Sequence, residues 1–229
     1  MMRGSFPETC RSQSPEAMSP KIFLVLCALS VAGLLYAENG DRSGLKWMFK
    51  PAASLSFILA GIASGGLETA VGRAILTGLV LCAAGDVLLI PKSQKSFLAG
   101  VGAFAAGHAA YFAAFLIGGA VWSIAAAAAL ALMGALSVGL AFWLRKGLGE
   151  MRLPVALYSL VISVMVAGGV AHWSAAQTAD SAALAIAAAG FALSDVSVAL
   201  DRFGGAGFIN KAWGLTLYFA AQCLFAVSV

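Results

Sequence analysis

The sequence predicts an all-α protein, a polytopic bundle of about eight transmembrane helices. Hydrophobic residues make up 61% of the 229-residue chain and charged residues only 10%, whereas soluble domains carry about 25% charged residues. The apolar residues are grouped in eight runs, each close to the roughly 17–25 residues that a helix needs to span hydrocarbon. A soluble fold of this length cannot bury so much apolar surface, so lipid is the predicted solvent for most of it.

Charged residues, together with glycines and prolines that mark turns, separate the eight runs. They cover residues 21–37, 46–64, 72–90, 97–117, 121–143, 153–172, 182–200 and 209–228. Small residues are dense in them, most clearly at 125–129 and 187–190, and small side chains let transmembrane helices pack closely. These clusters therefore predict packing surfaces and need no chemical function.

Ahead of the first run, residues 1–20 are polar and include three prolines. They predict a disordered tail, or extra sequence before a start at Met18. The first run also has the length of a signal-peptide core, but we favour a retained helix because seven further membrane runs follow. The expected organisation is a tail over residues 1–20 and one eight-helix transmembrane domain over residues 21–229.

Two pairs of short motifs indicate an internal repeat. Gly-Asp-Val at 85–87 on the third run resembles Ser-Asp-Val at 194–196 on the seventh, and Tyr-Phe-Ala-Ala at 111–114 recurs at 218–221. Four helices per half is an even number, so the halves would be two parallel four-helix repeats. In Ala-rich sequence such matches also arise by chance, which leaves the duplication open.

Asp86 and Asp195 are the carboxylates that lie clearly inside apolar runs. A carboxylate in hydrocarbon costs at least about 2–3 kcal/mol, so it normally has a partner and a function. Both lie roughly 6–8 Å from the same lysine-rich interface, at a rise of 1.5 Å per residue. Each follows a small residue, Gly85 or Ser194, that lets a neighbouring helix approach. The matched depth predicts a shared cavity; the alternative is that each Asp pairs with a neighbouring helix for packing alone.

Other polar side chains, including Ser194, are candidates for substrate binding. Lys50 can pair with an aspartate or a lipid phosphate, although it can also simply snorkel to the headgroups. Arg202 can bind phosphate, although a basic residue that flanks a helix needs no function. His108 and Tyr111 are three residues apart on one helix face, and a lone buried His is more often a hydrogen-bond partner than a catalyst. Another candidate, which can reach a carboxylate or anchor at the interface, is Tyr158.

Neither a metal nor a cofactor is expected. No CxxC pair occurs among the four cysteines, and no P-loop, HExxH or GxSxG motif is present. With only two histidines a His-rich metal site is not expected, although Asp86, Asp195 and His108 are just enough to hold one metal. The net charge of +4 is weak evidence for nucleic-acid binding, because basic residues in short loops set topology. We expect no nucleic-acid partner.

In this order and spacing, the motifs resemble those of the lysoplasmalogenase (YhhN-like) family of multi-pass membrane hydrolases. The matching segments are 47–51, 85–89, 107–111, Pro154 with Tyr158, 194–203 and 218–222. The resemblance covers the chain from about residue 22 onwards. It implies hydrolysis of the vinyl ether bond of lysoplasmalogens to a fatty aldehyde and a glycerophospho-head group. The expected partner is therefore a lysophospholipid or another membrane lipid, and the expected location is a bacterial inner membrane.

The chemistry of this reaction fits the residues. Vinyl ether hydrolysis needs a proton at the alkene carbon remote from oxygen, and water then captures the oxocarbenium ion. One acid and one carboxylate that acts as base or charge stabiliser suffice, as in glycosidases. The hypothesised catalytic pair is Asp86 and Asp195, without an assignment of the acid, and Lys50, Tyr158 or Arg202 would orient the head group.

Two other classes of function compete with an enzyme. A proton-coupled transporter would use the same carboxylates as a relay, and a non-catalytic lipid-binding protein would use the polar residues only for binding. A transporter needs polar residues that reach both interfaces. In this sequence they cluster towards one side, which favours a one-sided cavity and hence an enzyme.

The positive-inside rule predicts the orientation. Ten Lys and Arg residues follow the odd-numbered runs and four lie on the other side, so the lysine-rich side is predicted to be cytoplasmic and both termini external. A reporter fused after Val229 should therefore read as non-cytoplasmic in whole cells. A cytoplasmic signal would reverse the orientation and the compartment to which the site opens.

Overall fold

The structure, a computed structural model, describes residues 19–205 and 207–229 of the chain. Within these ranges the chain forms eight α-helices. They are α1 (Pro20–Asn39), α2 (Ser43–Ala63), α3 (Ala70–Leu88), α4 (Gln94–Ile117), α5 (Ile124–Leu148), α6 (Arg152–Ala176), α7 (Ala179–Phe203) and α8 (Phe208–Val227). The tail that the sequence predicts over residues 1–20 lies, except for its last two residues, outside the described part of the chain.

The predicted all-α bundle is confirmed, and the predicted number of helices is close. A 3-10 turn at Gly149–Met151 joins α5 directly to α6, so the eight α-helices form seven separate helical segments. Five of these segments are long and apolar enough to cross a bilayer, namely α1, α3, α4, the continuous α5–α6 segment and α7. The α5–α6 segment has 53 residues, which is enough for two crossings. The remaining two, α2 and α8, are long enough but less apolar.

Helix ends differ from the predicted runs, because charged residues near an interface do not end a helix. The α5 helix continues through Arg145 and Lys146, and α7 continues through Arg202. Basic side chains at a helix C-terminus complement the helix dipole and stabilise the last turn. At the other ends, side-chain oxygens cap the first turns of α3, α4, α5 and α7. The capping residues are Thr69, Ser93, Ser123 and Thr178.

Six of the helices form a closed ring, and two lie outside it. In the ring, α2 packs on α3, followed in order by α4, α6, α7 and α8, which packs back on α2. Outside it, α1 packs on α2 and α8, whereas α5 packs on α6 and touches α7. Aromatic side chains, among them Tyr111 stacked on Phe225 with ring centroids 4.1 Å apart, fill the end of the ring opposite to the lysine-rich one. The unfilled space therefore lies towards the lysine-rich end.

The ring has the pairings expected of two parallel four-helix repeats. In the first half, α2 lies between α3 and α8; in the second half, its counterpart α6 lies between α7 and α4. If each helix is replaced by the one four places along the chain, with α1 following α8, the contacts of α2 become those of α6. The outer helices break this relation, because α1 packs on α8 whereas α5 packs on α7 and not on α4.

Glycines on α3 and α4 bring these two helices together. A Cβ added at Gly107 would lie 2.6 Å from Cys82 Sγ and 3.2 Å from the carbonyl oxygen of Gly78, and a Cβ at Gly78 would collide with the Tyr111 ring. Small residues allow this close approach of backbones in membrane bundles. Elsewhere on α4, a Cβ at Gly102 would meet no described atom within 4 Å.

This contrast predicts a difference between two variants on one helix. Gly107→Leu should lower the free energy of unfolding by about 1–3 kcal/mol, the usual cost of overpacking, whereas Gly102→Leu should be close to neutral. The measurement is the thermal midpoint of unfolding of each purified variant in the same detergent. Equal midpoints for the two variants would contradict the proposed close packing of α3 on α4.

Candidate active site

A cavity of about 1030 Å³ occupies the lysine-rich end of the bundle, and all eight helices contribute to its lining. Both Asp86 of α3 and Asp195 of α7 line it. The volume is at the upper end of the range for small-molecule sites. The prediction that the two aspartates share a cavity therefore agrees with the arrangement of the helices.

The cavity is one-sided. The α2, α4, α6 and α8 helices contribute residues from their N-terminal halves or middles, and α3 contributes its last turn. Along α5 and α7 the lining reaches about midway, to Met133 and Ala189. The sequence predicted that both aspartates lie about equally far from the ends of their helices. In the structure Asp86 lies in the last turn of α3, whereas Asp195 lies two turns from the end of α7. The two aspartates share a cavity all the same.

Asp86 is almost fully buried, with 1% of its surface exposed, and it has three partners. Its Oδ2 accepts hydrogen bonds from Ser54 Oγ at 2.6 Å and Tyr218 OH at 2.7 Å. Its Oδ1 lies 3.5 Å from Lys50 Nζ. A buried carboxylate needs such compensation, since an isolated one is far too costly. The three partners come from α2, a ring neighbour of α3, and from α8, which packs on the other side of α2.

Behind this carboxylate lies a buried hydrogen-bond chain. Tyr111 OH donates to Gln222 Oε1 at 2.7 Å, and Gln222 Nε2 donates to Tyr218 OH at 3.2 Å. Tyr218 in turn donates to Asp86. These two partners determine which way the Gln222 amide faces, with its oxygen towards Tyr111 and its nitrogen towards Tyr218. It fixes the Tyr218 ring and thereby the position of the Asp86 carboxylate.

Asp195 has a different set of partners. Its Oδ2 accepts from Tyr158 OH of α6 at 2.6 Å, and His108 Nε2 of α4 lies 2.9 Å from the same hydroxyl and 3.7 Å from Oδ2. Because the Tyr158 proton points to Asp195, His108 Nε2 must itself carry a proton and donate it to Tyr158. The fully buried His108 ring lies edge-on against Phe191, with centroids 4.4 Å apart, and its Nδ1 has no hydrogen-bond partner among the described residues.

The structure brings most of the predicted site residues to the cavity, but not all. Lys50, Tyr158, Ser194 and Arg202 line it together with the aspartates. Ser194 Oγ donates to the Phe191 carbonyl at 2.7 Å, so its hydroxyl is used within its own helix. Two predicted substrate-binding residues, His108 and Tyr111, do not line the cavity; both lie behind lining tyrosines to which hydrogen bonds connect them.

Sequence reasoning missed three members of the Asp86 group. They are Ser54, Tyr218 as a site residue, and Gln222. A spacing signal was present, because Ser54 follows Lys50 by four residues and Gln222 follows Tyr218 by four, and residues at this spacing share a helix face. Hydroxyl and amide side chains are too common in helices for that spacing alone to single them out.

Alternating charges surround the mouth of the cavity. Lys46 Nζ lies 3.0 Å from Glu38 Oε2 and 2.8 Å from Asp41 Oδ1, and Lys92 Nζ lies 3.0 Å from Asp41 Oδ2. Hydrogen bonds lower the pKa of Asp41, in the α1–α2 loop, to about 2; the one from Lys46 has the larger effect and the one from Lys92 the smaller. Lys211 of α8 lies 3.4 Å from Glu38. These pairs connect the end of α1 to α8 and the α1–α2 loop to α2, and none of them uses Lys50, the partner of Asp86.

The guanidinium of Arg202 lies at the same mouth, with its Cζ 4.7 Å from the centroid of the Phe97 ring. Stacking of this kind engages the face of the guanidinium and leaves its N–H edge for a hydrogen-bond acceptor. In the described part of the chain no carboxylate lies within ion-pair distance of it. The same part of the chain contains no group of three or more His, Cys, Asp or Glu side chains placed to hold a metal.

Comparison with known proteins agrees with the predicted resemblance. A model of the YhhN family matches residues 45–229, which include every residue of the two aspartate groups. Lysoplasmalogenase TMEM86A of Bos taurus is 29% identical over 191 residues, which is 80% of this chain and 72% of the bovine protein. No solved structure matches the chain.

The pairing of Lys50 with Asp86 generates a test of stability. Lys50→Met leaves a buried carboxylate without its cation, and losing one partner of a buried pair costs about 3–5 kcal/mol. The thermal midpoint in detergent should fall accordingly, and a second substitution, Asp86→Asn, should restore most of it because no charge remains to be compensated.

Lys92→Met is the matched control. Its side chain and that of its partner Asp41 are 81% and 67% exposed, and exposed pairs contribute at most about 1 kcal/mol. If Lys50→Met and Lys92→Met shift the midpoint equally, or if the double variant shows no recovery, Lys50 is not the counter-ion of Asp86.

Proposed function

The chain belongs to the YhhN family, and from this membership we propose that it is a membrane-embedded hydrolase of the inner membrane of a bacterium. Its proposed reaction is the cleavage of the vinyl ether bond in alkenyl lysophospholipids, which yields a fatty aldehyde and a glycerophospho-head group. The name of the bovine relative, a lysoplasmalogenase, supports the same substrate class.

One observation carries the proposal beyond family membership: two carboxylates line one cavity that opens at one end of the bundle. Its wall is largely apolar, whereas its mouth carries several Lys residues and Arg202. An amphiphile with a phosphate head group and a single chain matches this distribution. The polar lining stays in one half of the bundle, which supports an enzyme over a proton-coupled transporter.

Asp195 is the proposed acid. Its Oδ2 is held by Tyr158, and its Oδ1 accepts no hydrogen bond from the described side chains, so Oδ1 is available to a substrate. The hydrogen bonds from His108 to Tyr158 and from Tyr158 to Asp195 form a short relay that ends on this carboxyl group. Asp195 is also more open than Asp86, with 19% of its side chain exposed.

The proposed reaction begins when Asp195 transfers its proton to the alkene carbon remote from the ether oxygen. The double bond is consumed and an oxocarbenium ion forms at the carbon bonded to oxygen. Water adds to this carbon and gives its proton to the Asp195 carboxylate, which regenerates the acid. The resulting hemiacetal collapses to the aldehyde, and its hydroxyl proton leaves with the glycerol oxygen. One residue thus acts first as acid and then as base, as in retaining glycosidases.

Asp86 is the proposed charge stabiliser of the oxocarbenium ion. Three partners hold its carboxylate in place, and a preorganised group of this kind stabilises a developing charge without reorganisation. Lys50, which lies beside Asp86 and lines the cavity, is the proposed first contact for the phosphate. Arg202 supplies a second contact, since its guanidinium edge suits a phosphate.

Asp→Asn substitutions test this assignment. Asp86→Asn and Asp195→Asn keep the shape of the side chain, so the variants should fold, but each should lose about 10²–10⁴-fold in turnover. The double variant should be little slower than the slower single variant, because residues that act as a unit are not additive. The measurement is aldehyde release by purified protein from an alkenyl lysophospholipid.

Asp180→Asn provides the control, because Asp180 is exposed at the first turn of α7, at the end opposite to the cavity. It should retain wild-type turnover. If both single variants at Asp86 and Asp195 also retain it, the aspartates are not catalytic; if the wild-type protein releases no aldehyde, the proposed substrate class is wrong.

A further inference from the structure

We infer that the cavity continues into an apolar arm between α5 and α7, and that this arm holds the hydrocarbon chain of the substrate and opens sideways to the bilayer. The arm is lined by Met133, Leu136 and Leu140 of α5 and by Leu193 and Val196 of α7. The identity of the occupant, the single chain of a lysophospholipid, rests on the proposed function.

The lining of the arm is one continuous apolar surface. Met133, Leu136 and Leu140 follow one another at intervals of three and four residues and so share one face of α5. On α6, Ile162 lies four residues, about one turn, beyond Tyr158 on the same face, and both line the cavity. The arm therefore starts at the hydroxyl that holds Asp195 and continues towards the middle of the membrane.

The arm reaches the outer surface of the bundle. Leu136 is 57% exposed and Leu193 is 55% exposed, although both line the same cavity as the aspartates. In a membrane these side chains face hydrocarbon. A chain lying between them can leave the bilayer laterally without crossing the charged mouth.

Two sets of glycines show where α5 and α7 meet and where they separate. Near the lysine-rich end, a Cβ at Gly147 of α5 would collide with the carbonyl oxygen of Phe203, and a Cβ at Gly204 would lie 3.4 Å from Leu144. Further along α5, a Cβ at Gly139 would meet no described atom within 4 Å. The helices therefore touch at the interface and leave a gap within the membrane.

The other outer helix leaves no comparable gap. In the first half, α1 packs on both α2 and α8 along the ring, and its only residue in the cavity lining is Glu38 at the mouth. The broken symmetry of the outer helices thus produces a single arm. One arm matches a lipid with one chain, which is the distinguishing property of a lysophospholipid.

The experiment compares two glycines of α5. Gly139 lines the cavity and Gly134 does not, and a Cβ at either position meets no described atom within 4 Å. Gly139→Phe should therefore fill the arm without a clash in the bundle, and Gly134→Phe is the matched control. Both proteins, in lipid nanodiscs, are photolabelled with a 1-O-hexadecyl lysophosphatidylethanolamine that carries a diazirine at the end of its chain. This saturated ether has no vinyl ether bond, so labelling does not depend on turnover.

In the wild-type protein and in Gly134→Phe, peptide mass spectrometry should place the adducts on α5 and α7 residues of the arm. Gly139→Phe should reduce these adducts at least about ten-fold, because losing the burial of even two methylenes has an effect of that size. Adducts confined to outward-facing residues such as Leu132 and Val138, an absence of adducts, or equal labelling in the two variants would overturn the inference.

A second measurement separates this inference from the proposed function. The ratio of turnover for a hexadecenyl over a butenyl lysophospholipid should fall about ten-fold or more in Gly139→Phe and stay unchanged in Gly134→Phe. Labelling of the arm without any aldehyde release by the wild-type protein would support the arm and refute the hydrolase. Aldehyde release with an unchanged ratio in Gly139→Phe would support the hydrolase and refute the arm.

Discussion

The architecture depends on the cost of placing a carboxylate in a low-dielectric environment. Asp86 meets that cost with partners from α2 and α8, and Asp195 with partners from α6 and α4. Each carboxylate therefore cross-links its own helix to two others, and together the two groups involve all six helices of the ring. An unpaired polar group in hydrocarbon cannot form a hydrogen bond to water. These helices therefore cannot separate at the cavity without exposing a charge to the lipid.

Because charges in apolar runs are costly, they are also the features of the site that could be predicted from the sequence. A charge within an apolar run is rare and easily recognised, so the membrane class, the two aspartates and Lys50 could be predicted from residue type alone. The partners Ser54 and Gln222 could not, because a hydroxyl or an amide is common in helices and becomes significant only once the rotation of the helix is known. His108 was predicted to bind substrate, whereas it lies behind Tyr158. That place depends on how α4 packs on α6, which no local pattern specifies.

Helix boundaries and symmetry show the same limit. The predicted runs stopped at charges, whereas α5 and α7 continue through theirs because basic residues complement the C-terminal dipole. The repeated motifs around the two aspartates predicted equivalent halves, and the ring has equivalent pairings. The motifs contain no information about α1 and α5, whose contacts depend on loop lengths and on the shapes of two outer surfaces.

A polar mouth and an apolar side opening give the two ends of an amphiphile different directions of travel. When the proposed reaction breaks a bond between those ends, the water-soluble fragment faces the aqueous compartment through the charged mouth, and the apolar fragment faces the membrane between α5 and α7. On the proposed reaction, the two products would partition into separate phases, so that recombination is suppressed and the aldehyde enters the bilayer instead of the aqueous compartment. The proposed enzyme would thus separate its two products as well as form them.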